Sequence, residues 1–321
     1  MTNPEDEALL YQVASLYYEQ NRTQGQIGDE LHFTRWKVGR LLAEAREAGI
    51  VRIEVVHPKA RMRGLEERLR EVFGLRDAVV VAADRTDDDE RLRARVAEAG
   101  ADYLARLHPA PRQLGVSWGR TLDLLAAGLH PGWADGVHVV QINGGVSRSR
   151  TPTSAQDMAG RIAHLAGGTL SVLPVPSIVE QEATRRLLEE DSAVADVLAQ
   201  AAAADTVLFS PGSLGADSVL VDSGYLTADD LTALAAAGAV GDVAGRFIDA
   251  DGAIVDRPLD DRTLGLPLEH LRHASVSVAV VSGGAKHAVC SAVVTSGLCN
   301  TLVTDHHTAS HLLNPHQCED L

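Results

Sequence analysis

From residue 75 onward, short apolar runs alternate with segments rich in alanine and leucine, and this alternation constrains the fold more than any other feature. The runs have the length of buried strands, and the segments between them have helical spacing. The predicted strands are Asp77–Ala82, Gln113–Val116, Val137–Ile142, Leu170–Leu173, Thr206–Phe209, Val276–Val281 and Thr301–Val303. The predicted helices are Asp88–Leu107, Arg120–Leu129, Ser154–Leu165, Ser192–Ala203, Thr227–Ala237, Lys286–Thr295 and Thr308–Leu313. This order predicts an α/β fold around a mostly parallel sheet.

Residues 23–46 have a different pattern, typical of two short amphipathic helices joined by a tight turn. Thr23 and Gln26 have the spacing of a capping box, and Thr34 offers a cap to the second helix. Apolar residues recur on one face of each helix, at Ile27 and Leu31 in the first and at Val38, Leu41, Leu42 and Ala45 in the second. The pattern predicts a helix-turn-helix, whose second helix enters the major groove of DNA.

The second of these helices carries positive charge near its start. Arg35, Lys37 and Arg40 point away from the apolar stripe, and the first acidic residue after them is Glu44. The chain has a net charge of −15 over 321 residues, so a DNA-binding surface has to be local. The pattern alone leaves open a helical hairpin whose exposed basic residues bind no nucleic acid. The candidate DNA-contacting residues are Thr23, Gln24, Thr34, Arg35, Trp36, Lys37 and Arg40.

The chain is long enough for more than one domain, and Pro58 marks a boundary. Before it, a helical stretch around Leu9–Tyr17 and a predicted strand at Val51–Val55 complete a small DNA-binding domain, residues 1–57. Residues 58–74 form a predicted linker helix, whose leucines would pack either on the body or on a second subunit. Residues 75–321 form a predicted domain for effector binding and oligomerisation.

Cysteine usage and hydropathy exclude several classes of protein. The three cysteines, Cys290, Cys299 and Cys318, are too few and too irregularly spaced for a disulfide framework or a zinc site. The polar N-terminus does not resemble a signal peptide, and no apolar run approaches the ~20 residues of a membrane helix. We therefore expect a soluble cytoplasmic protein with no membrane partner. His307 and His311 have a spacing that can chelate a metal on a helix, but no accompanying motif supports a metal site and we predict none.

Two predicted strand-to-helix junctions combine small residues with a cation, a combination that suits phosphate. The first is Gly115–Thr121, which contains Arg120. The other is Val281–His287, where Lys286 follows two glycines, and an anion would offset the unfavourable placement of a cation at a helix N-terminus. Each junction has a simpler explanation, in which Arg120 pairs with a surface acid and Lys286 extends to solvent.

Two further segments offer groups that could contact sugar hydroxyls. Gln141–Ser147 ends a predicted strand with amide and hydroxyl side chains, including Asn143. Gly241–Gly252 places acidic residues among glycines, and Asp242 could accept hydrogen bonds from sugar hydroxyls or neutralise a nearby cation. Glycine-containing turns without a ligand explain both segments equally well from the sequence alone.

Several short motifs are distributed along nearly the whole chain. In the N-terminal part these motifs are Leu16–Glu19, Thr34–Val38 and Glu44–Val51. In the body they are Ser117–Thr121, Asn143–Gly145, Gly241–Phe247, Gly283–Gly284 with Lys286, and Thr304–Asp305 with Thr308–Ala309. In these motifs and in their order, the chain resembles the SorC/DeoR-type sugar-binding transcriptional regulators of bacteria.

This resemblance implies a Rossmann-like effector domain, similar to the phosphosugar isomerase and CoA-transferase-like fold, in a homodimer or homotetramer. It also implies that a small sugar or polyol, normally phosphorylated, controls binding to double-stranded operator DNA, with no cofactor and no catalytic residue. The effector-binding residues that it implies are Ser117, Trp118, Gly119, Arg120, Thr121, Asn143, Gly144, Asp242, Phe247, Gly283, Gly284 and Lys286.

Four positions depart from the family pattern. His32 stands where the turn between the two helices usually has glycine, and Gly39 replaces a serine in the second helix. Ser210–Ser213 replaces a Gly-Ile-Gly type of loop at one rim of the implied pocket, and His306 stands where an acid is frequent. These differences bear on the identity of the effector more than on the class of protein.

A phosphosugar isomerase-like enzyme with an appended helical domain is the alternative hypothesis. Asp242 or Asp305 would then act as the base, and Lys286 would hold the substrate anion. This interpretation leaves the N-terminal helix pair unexplained. We therefore favour a regulator over an enzyme.

Overall fold

The computed structural model describes residues 4–20, 22–51, 61–83, 88–146, 155–215 and 218–314. The chain divides into two compact units, residues 1–57 and 58–321. Several predicted features lie outside the described residues, namely most of the strand at 51–55, Pro58, Ser147, Ser154, His316 and Cys318.

The described part of the first unit contains the helices α1 (Pro4–Tyr18), α2 (Gln24–Leu31) and α3 (Arg35–Glu47). The last two confirm the helices predicted within residues 23–46. Thr23 caps α2 in a reciprocal capping box with Gln26, as its spacing predicts. A common apolar cluster joins the helices, with buried residues Leu10, Val13, Ala14, Leu16, Ile27, Val38, Leu41, Leu42 and Ala45.

The tight turn between α2 and α3 depends on His32 and Gly28. His32 adopts a left-handed conformation, with φ 57° and ψ 39°, which costs a residue with a side chain about 1 kcal/mol. Phe33 donates its backbone N–H to the carbonyl of Gly28 at 2.8 Å. A Cβ at Gly28 would lie 2.6 Å from the carbonyl oxygen of Phe33, so the turn requires a glycine there. Thr34 then caps α3 by accepting the N–H of Lys37 at 3.2 Å.

The second unit is built on a parallel sheet that has seven strands among the described residues. In chain order its strands are β1 (Asp77–Val81), β2 (Gln113–Val116), β3 (His138–Gln141), β4 (Thr169–Ser171), β5 (Thr206–Phe209), β8 (Val276–Val280) and β9 (Thr301–Asp305). Between β5 and β8 the chain forms a separate hairpin of the strands β6 (Gly241–Val243) and β7 (Arg246–Ile248). The helices are α4 (Arg63–Phe73), α5 (Asp89–Arg106), α6 (Arg120–Gly128), α7 (Ala155–Leu165), α8 (Glu182–Glu190), α9 (Ser192–Ala202), α10 (Val219–Asp222), α11 (Ala228–Ala236), α12 (Arg257–Asp260), α13 (Leu268–His273), α14 (His287–Thr295) and α15 (His306–Leu313). The mixed α/β class with a parallel sheet is therefore confirmed.

The strand order, β1-β9-β8-β5-β2-β3-β4, creates a switch point in the middle of the sheet. From β2 the chain continues outward through β3 to β4, and from β5 it continues in the opposite direction through β8 to β9. Ligands of open parallel sheets bind beyond the carboxyl ends of the strands at such a point. The crevice between the ends of β2 and β5 is therefore the expected binding position.

Large apolar clusters stabilise the sheet on its two sides. One contains Ile142, Phe209 and Val281 with residues of α14, and the other contains Leu104, Leu114 and residues of α6 and α7. Apart from β4 at the edge of the sheet, these strands are almost wholly buried on both faces, which explains their continuous apolar runs. Within the residues that the structure describes, no helix is both long and apolar enough to cross a membrane.

The structure corrects the predicted elements in several places. The hairpin β6–β7 and the helices α8, α10, α12 and α13 were not predicted. Helix α15 begins at His306 rather than Thr308, because the Asp305 carboxylate caps it by accepting the N–H of Thr308 at 2.9 Å. Helix α14 begins at His287 because Gly284–Lys286 forms a short 3₁₀ turn.

Candidate functional site

A pocket opens at the carboxyl ends of β2, β5 and β8, at the switch point of the sheet. The empty space within it is about 880 Å³, a figure that includes open solvent at its mouth. Six segments of the chain contribute to its wall. The lining residues are Asp89, Arg93, Trp118, Gly119, Arg120, Thr121, Ser210, Pro211, Gly212, Ser213, Ser218, Val219, Leu220, Asp242, Ala244, Ser282, Gly283, Ala285 and Lys286.

The corner between β2 and α6 presents a helix N-terminus to the pocket. Gly119 has a φ of 147° and precedes Arg120, the first residue of α6. This conformation favours glycine, and the backbone N–H groups of the first helical turn lie beyond it. Trp118 donates its indole N–H to the carbonyl of Gly144 at 2.9 Å, which ties this corner to the end of β3. The corner therefore offers an anion both a helix terminus and a guanidinium.

The corner after β8 provides the second cation. Gly283 has a φ of 88° and leads into the 3₁₀ turn that ends at Lys286. The Lys286 ammonium donates to the hydroxyl of Ser210 at 3.4 Å. Because Ser210 directly follows β5, Lys286 extends across the pocket floor between two strand ends. An ammonium in this position can bind an anion held in the crevice.

The hairpin β6–β7 places a carboxylate in the same pocket. Asp242 exchanges two backbone hydrogen bonds with Gly212, and its side-chain Oδ2 accepts the N–H of Gly245 at 2.9 Å. The hairpin loop consists of Ala244 and Gly245, which both have positive φ, at 54° and 86°. This is the geometry of a two-residue type I′ turn, in which alanine is strained. The strained Ala244 itself lines the pocket.

Burial raises the pKa of the Asp242 carboxyl to about 6. The hydrogen bond from Gly245 and the charge of Lys286 act in the opposite direction and favour the carboxylate. The group is 6% exposed, so desolvation outweighs both. At neutral pH Asp242 is largely ionised and can accept hydrogen bonds from a ligand.

Arg246 fixes the hairpin to the rest of the unit. Its buried guanidinium forms an ion pair with Asp260 and donates to the carbonyl oxygens of Gly265 at 3.1 Å and Leu266 at 3.4 Å. Leu266 in turn donates its N–H to the carbonyl of Ile142, just after β3. The hairpin that carries Asp242 is thus connected to the segment that follows the central strands.

The pocket brings together seven of the residues predicted to bind an effector. They are Trp118, Gly119, Arg120, Thr121, Asp242, Gly283 and Lys286. The other five, among the described residues, lie outside its lining: Ser117, Asn143, Gly144, Phe247 and Gly284.

These five residues have other surroundings. Ser117 is buried and donates its hydroxyl to the carbonyl of Trp118 at 3.4 Å. A Cβ at Gly144 would lie 2.3 Å from a backbone oxygen, so a glycine is required for close packing there. Phe247 packs in an apolar cluster. Asn143 is 2% exposed, and neither polar atom of its amide has a hydrogen-bond partner among the described residues.

Several lining residues were not predicted as site residues. Asp89 and Arg93 come from α5, and Ser218–Leu220 come from the start of α10. Neither segment has a sequence signal of its own, because the packing of helices in the folded unit brings them to the pocket. Ser210–Ser213 had a signal, since this loop departs from the family pattern, and it forms the rim after β5.

The exposed face of α3 carries most of the candidate DNA-contacting residues. Trp36 is 79% exposed, and the Lys37 ammonium lies 4.3 Å from the centre of the Phe33 ring. Arg40 forms a half-exposed ion pair with Glu44 at 3.3 Å, a type of contact that adds little stability. A shallow cleft on this face is lined by Gln24, Arg35, Trp36, Gly39 and Arg40. Thr23 and Thr34 serve as helix caps beside it.

Within the described ranges, no group of three or more His, Cys, Asp or Glu side chains could hold a metal ion. His311 stacks on His287 with ring centres 4.4 Å apart. His306 accepts the N–H of Ala83 at its Nδ1. Cys290 and Cys299 are buried free thiols.

Comparison with known proteins gives matches along almost the entire chain. Residues 57–314 match the family model described as "Putative sugar-binding domain". The deoxyribonucleoside regulator of Bacillus subtilis strain 168 is 32% identical over 97% of this chain and 98% of its own length. The sorbitol operon regulator of Klebsiella pneumoniae is 30% identical over 98% of this chain and 100% of its own. The crystal structure of the full-length sorbitol operon regulator SorC from Klebsiella pneumoniae superposes with a TM-score of 0.73 at 28% identity, covering 97% and 100% of the two chains.

Proposed function

This chain belongs to the SorC/DeoR-type family of sugar-binding transcriptional regulators, and we propose that a small sugar or polyol phosphate controls its binding to operator DNA. The observation that carries the proposal is the convergence of Arg120, Lys286 and Asp242 on one pocket at the switch point of the sheet. Two cations and a buried carboxylate match a ligand that has both a phosphate and hydroxyl groups.

The phosphate would bind between the cations. Arg120 stands in the first turn of α6 and Lys286 immediately precedes α14, so the backbone N–H groups of two helix starts accompany the two charges. Asp242 would accept hydrogen bonds from sugar hydroxyls, because its carboxylate is buried and carries one hydrogen bond from Gly245. The carboxylate would also repel the phosphate of the ligand, so the phosphate would be oriented toward the cations.

The first unit would bind DNA as a helix-turn-helix. Helix α3 would enter the major groove, and Arg35, Lys37 and Arg40 would contact phosphates. We propose a homodimer or homotetramer, because paired reading heads bind two half-sites and their separation can respond to a ligand.

We assign no catalytic residue to this pocket. Asp305, which the enzyme hypothesis would use as a base, is engaged in the fold. Its two carboxylate oxygens accept the N–H of Gly283 and the N–H and hydroxyl of Thr308. The carboxylate therefore supports the starts of two helices.

A thermal-shift panel tests the effector proposal. Pentose, hexose and polyol phosphates are compared with their unphosphorylated parents, since a ligand of the folded state raises the melting temperature. We expect at least one phosphate to stabilise the chain and its parent to have a smaller effect. Stabilisation by none of the phosphates, or turnover of one of them at a useful rate, would contradict the proposal.

Selection from a pool of random duplexes tests the DNA proposal. Each duplex is about 40 bp, or four helical turns, long. We expect enrichment of one sequence whose binding weakens steeply with salt, because the cations release counterions from the phosphates. The variant Arg35→Ala/Arg40→Ala should bind it much more weakly. Equal enrichment of all sequences would contradict this part of the proposal.

A further inference from the structure

Trp36 is the most exposed large apolar side chain in the described part of the protein, at 79%. The other two tryptophans are placed differently. Trp118 donates its indole N–H to Gly144, and Trp133 donates to the carbonyl of Ile162 at 3.1 Å and is buried. Burial of an exposed indole is most favourable against a partner that presents an apolar group to the ring.

The surroundings of Trp36 define the chemistry of that partner. The cleft beside the indole is bounded by Gln24, Arg35 and Arg40. Residue 39 at the floor of the cleft is a glycine, so it contributes no side chain to the floor. A Cβ added there would lie 3.6 Å from the Gln24 amide. An apolar ring flanked by guanidinium groups complements a surface that is polyanionic but carries apolar groups at intervals. The major groove of DNA is such a surface, because each thymine presents a methyl group there between two rows of phosphates.

The position of Trp36 in α3 also matches base contact rather than phosphate contact. It is the second residue of the helix, and the N-terminal residues of a recognition helix contact base edges. The charge that suits phosphates is carried by the neighbouring cations Arg35, Lys37 and Arg40. To reach phosphates, Lys37 and Arg40 would give up partly exposed contacts, with the Phe33 ring and with Glu44 respectively. The indole is the side chain at this end of the helix that can reach a base edge through apolar contact.

We propose that Trp36 reads the 5-methyl group of a thymine in the major groove, while the cations of α3 contact phosphates. This inference rests on the proposed DNA binding and adds to it the base that one side chain selects. Uracil differs from thymine only in lacking this methyl group. Burial of one methyl-sized group is worth about a fourfold change in affinity.

The test combines a base change with a side-chain change. The duplex enriched from the random pool is synthesised with thymine or with uracil at each thymine position of one half-site, and its affinity is measured for the full-length wild type and for Trp36→Ala. At one thymine, we expect uracil to weaken the wild type about fourfold. Trp36→Ala should bind the two duplexes equally, at about the affinity of the wild type for uracil.

Two variants serve as controls. Trp36→Phe keeps an apolar ring and should retain part of the preference for thymine. Arg35→Ala removes a phosphate contact and should weaken both duplexes by the same factor. Because Trp36 is exposed, Trp36→Ala should leave the melting temperature unchanged, so a loss of affinity does not reflect unfolding.

The outcomes distinguish a failure of this inference from a failure of the proposed DNA binding. If no sequence is enriched, the proposed DNA binding fails and the inference falls with it. If a sequence is enriched but the wild type binds thymine and uracil equally at every position, only the inference is overturned. The same holds if Trp36→Ala discriminates thymine from uracil as strongly as the wild type, or if the indole proves to be covered by a second subunit.

Discussion

Asp242 and Gly212 exchange two backbone hydrogen bonds, at 2.8 and 3.0 Å, so that the hairpin carrying the carboxylate pairs with the loop that follows β5. The pairing leaves no room for a side chain at residue 212. A Cβ added there would lie 2.0 Å from Oδ1 of Asp242. The placement of the carboxylate in the pocket therefore depends on a glycine in the opposite wall.

Gly212→Ala should displace the Asp242 carboxylate and weaken effector binding by about tenfold or more, with a loss of roughly 1–3 kcal/mol in unfolding free energy. Calorimetric titration and urea unfolding measure the two effects. Gly160→Ala is a matched control, since the nearest atom to its added Cβ is 3.9 Å away and it lies within helix α7. Unchanged affinity in Gly212→Ala would show that the carboxylate is not a ligand contact.

Asp242→Asn should make the protein more stable at neutral pH and weaken its effector binding. The folded-state pKa is about 6 against an ordinary value of 3.8, so the folded state binds more protons between these values. For the wild type, unfolding free energy should therefore rise as the pH falls from about 7 toward 4, with the full gain present below the unfolded pKa. The ionised group costs up to about 3 kcal/mol at pH 7, which asparagine would remove.

Urea unfolding between pH 4 and pH 8 tests this prediction, over a range of about two units on either side of the folded pKa. The difference between Asp242→Asn and the wild type should be largest at the alkaline end and shrink toward the acidic end. A variant that is less stable than the wild type at every pH would contradict the account of Asp242 as a group retained for binding at the expense of stability.

Lys286→Ala and Arg120→Ala should each weaken a phosphorylated ligand far more than its unphosphorylated parent. A hydrogen bond to a charged group contributes about 1.5–3 kcal/mol, which corresponds to roughly tenfold to a hundredfold in affinity. Calorimetric titration of the ligand pair identified by the thermal-shift panel measures this ratio. Equal losses for both ligands would mean that these cations do not hold the phosphate.

Two glycines in the first unit should respond oppositely to substitution by alanine. Gly28→Ala places a Cβ 2.6 Å from the Phe33 carbonyl oxygen and should disrupt the turn between α2 and α3, weakening DNA binding strongly. In Gly39→Ala the added Cβ would lie 3.6 Å from its nearest neighbour. Because residue 39 lies inside α3, the alanine should stabilise this helix by up to about 1 kcal/mol. Circular dichroism and binding to the selected duplex compare them. Similar behaviour of the two variants would contradict the geometry of the turn.

The sequence alone predicted those strands and helices whose apolar residues follow a regular pattern. The seven apolar runs predicted as strands are present, although the run at Leu170–Leu173 corresponds to a strand that ends at Ser171. The helix pair in residues 23–46 and its caps were also predictable, because caps and apolar stripes act locally. The family predicted from the motifs is confirmed by matches along nearly the whole chain.

The elements that were missed have weak local signals. The strands β6 and β7 have three residues each, and their pairing depends on positive φ at Ala244 and Gly245. The helices α10 and α12 have four residues each, too few for a helical period. Helix α8 has no buried residue, so its pattern reflects charge pairs such as Arg185–Glu189 rather than a core.

The pocket was predictable only where the chain approaches it at a strand end. Arg120 and Lys286 follow glycines after strands, and Asp242 lies in a hairpin strand between Gly241 and Gly245, which marked all three as candidates. Asp89 and Arg93 reach the pocket because α5 packs across the sheet against α6, and no local pattern encodes that placement.

We propose that occupancy of this pocket changes the affinity of the same chain for operator DNA. The most direct test measures the dissociation constant for the selected duplex with and without a saturating amount of the most stabilising sugar phosphate, with saturation verified by thermal shift in the same sample. We predict a change of at least about fivefold in the wild type and little change in Lys286→Ala. An identical dissociation constant for the wild type, with the pocket shown to be occupied, would contradict the claim.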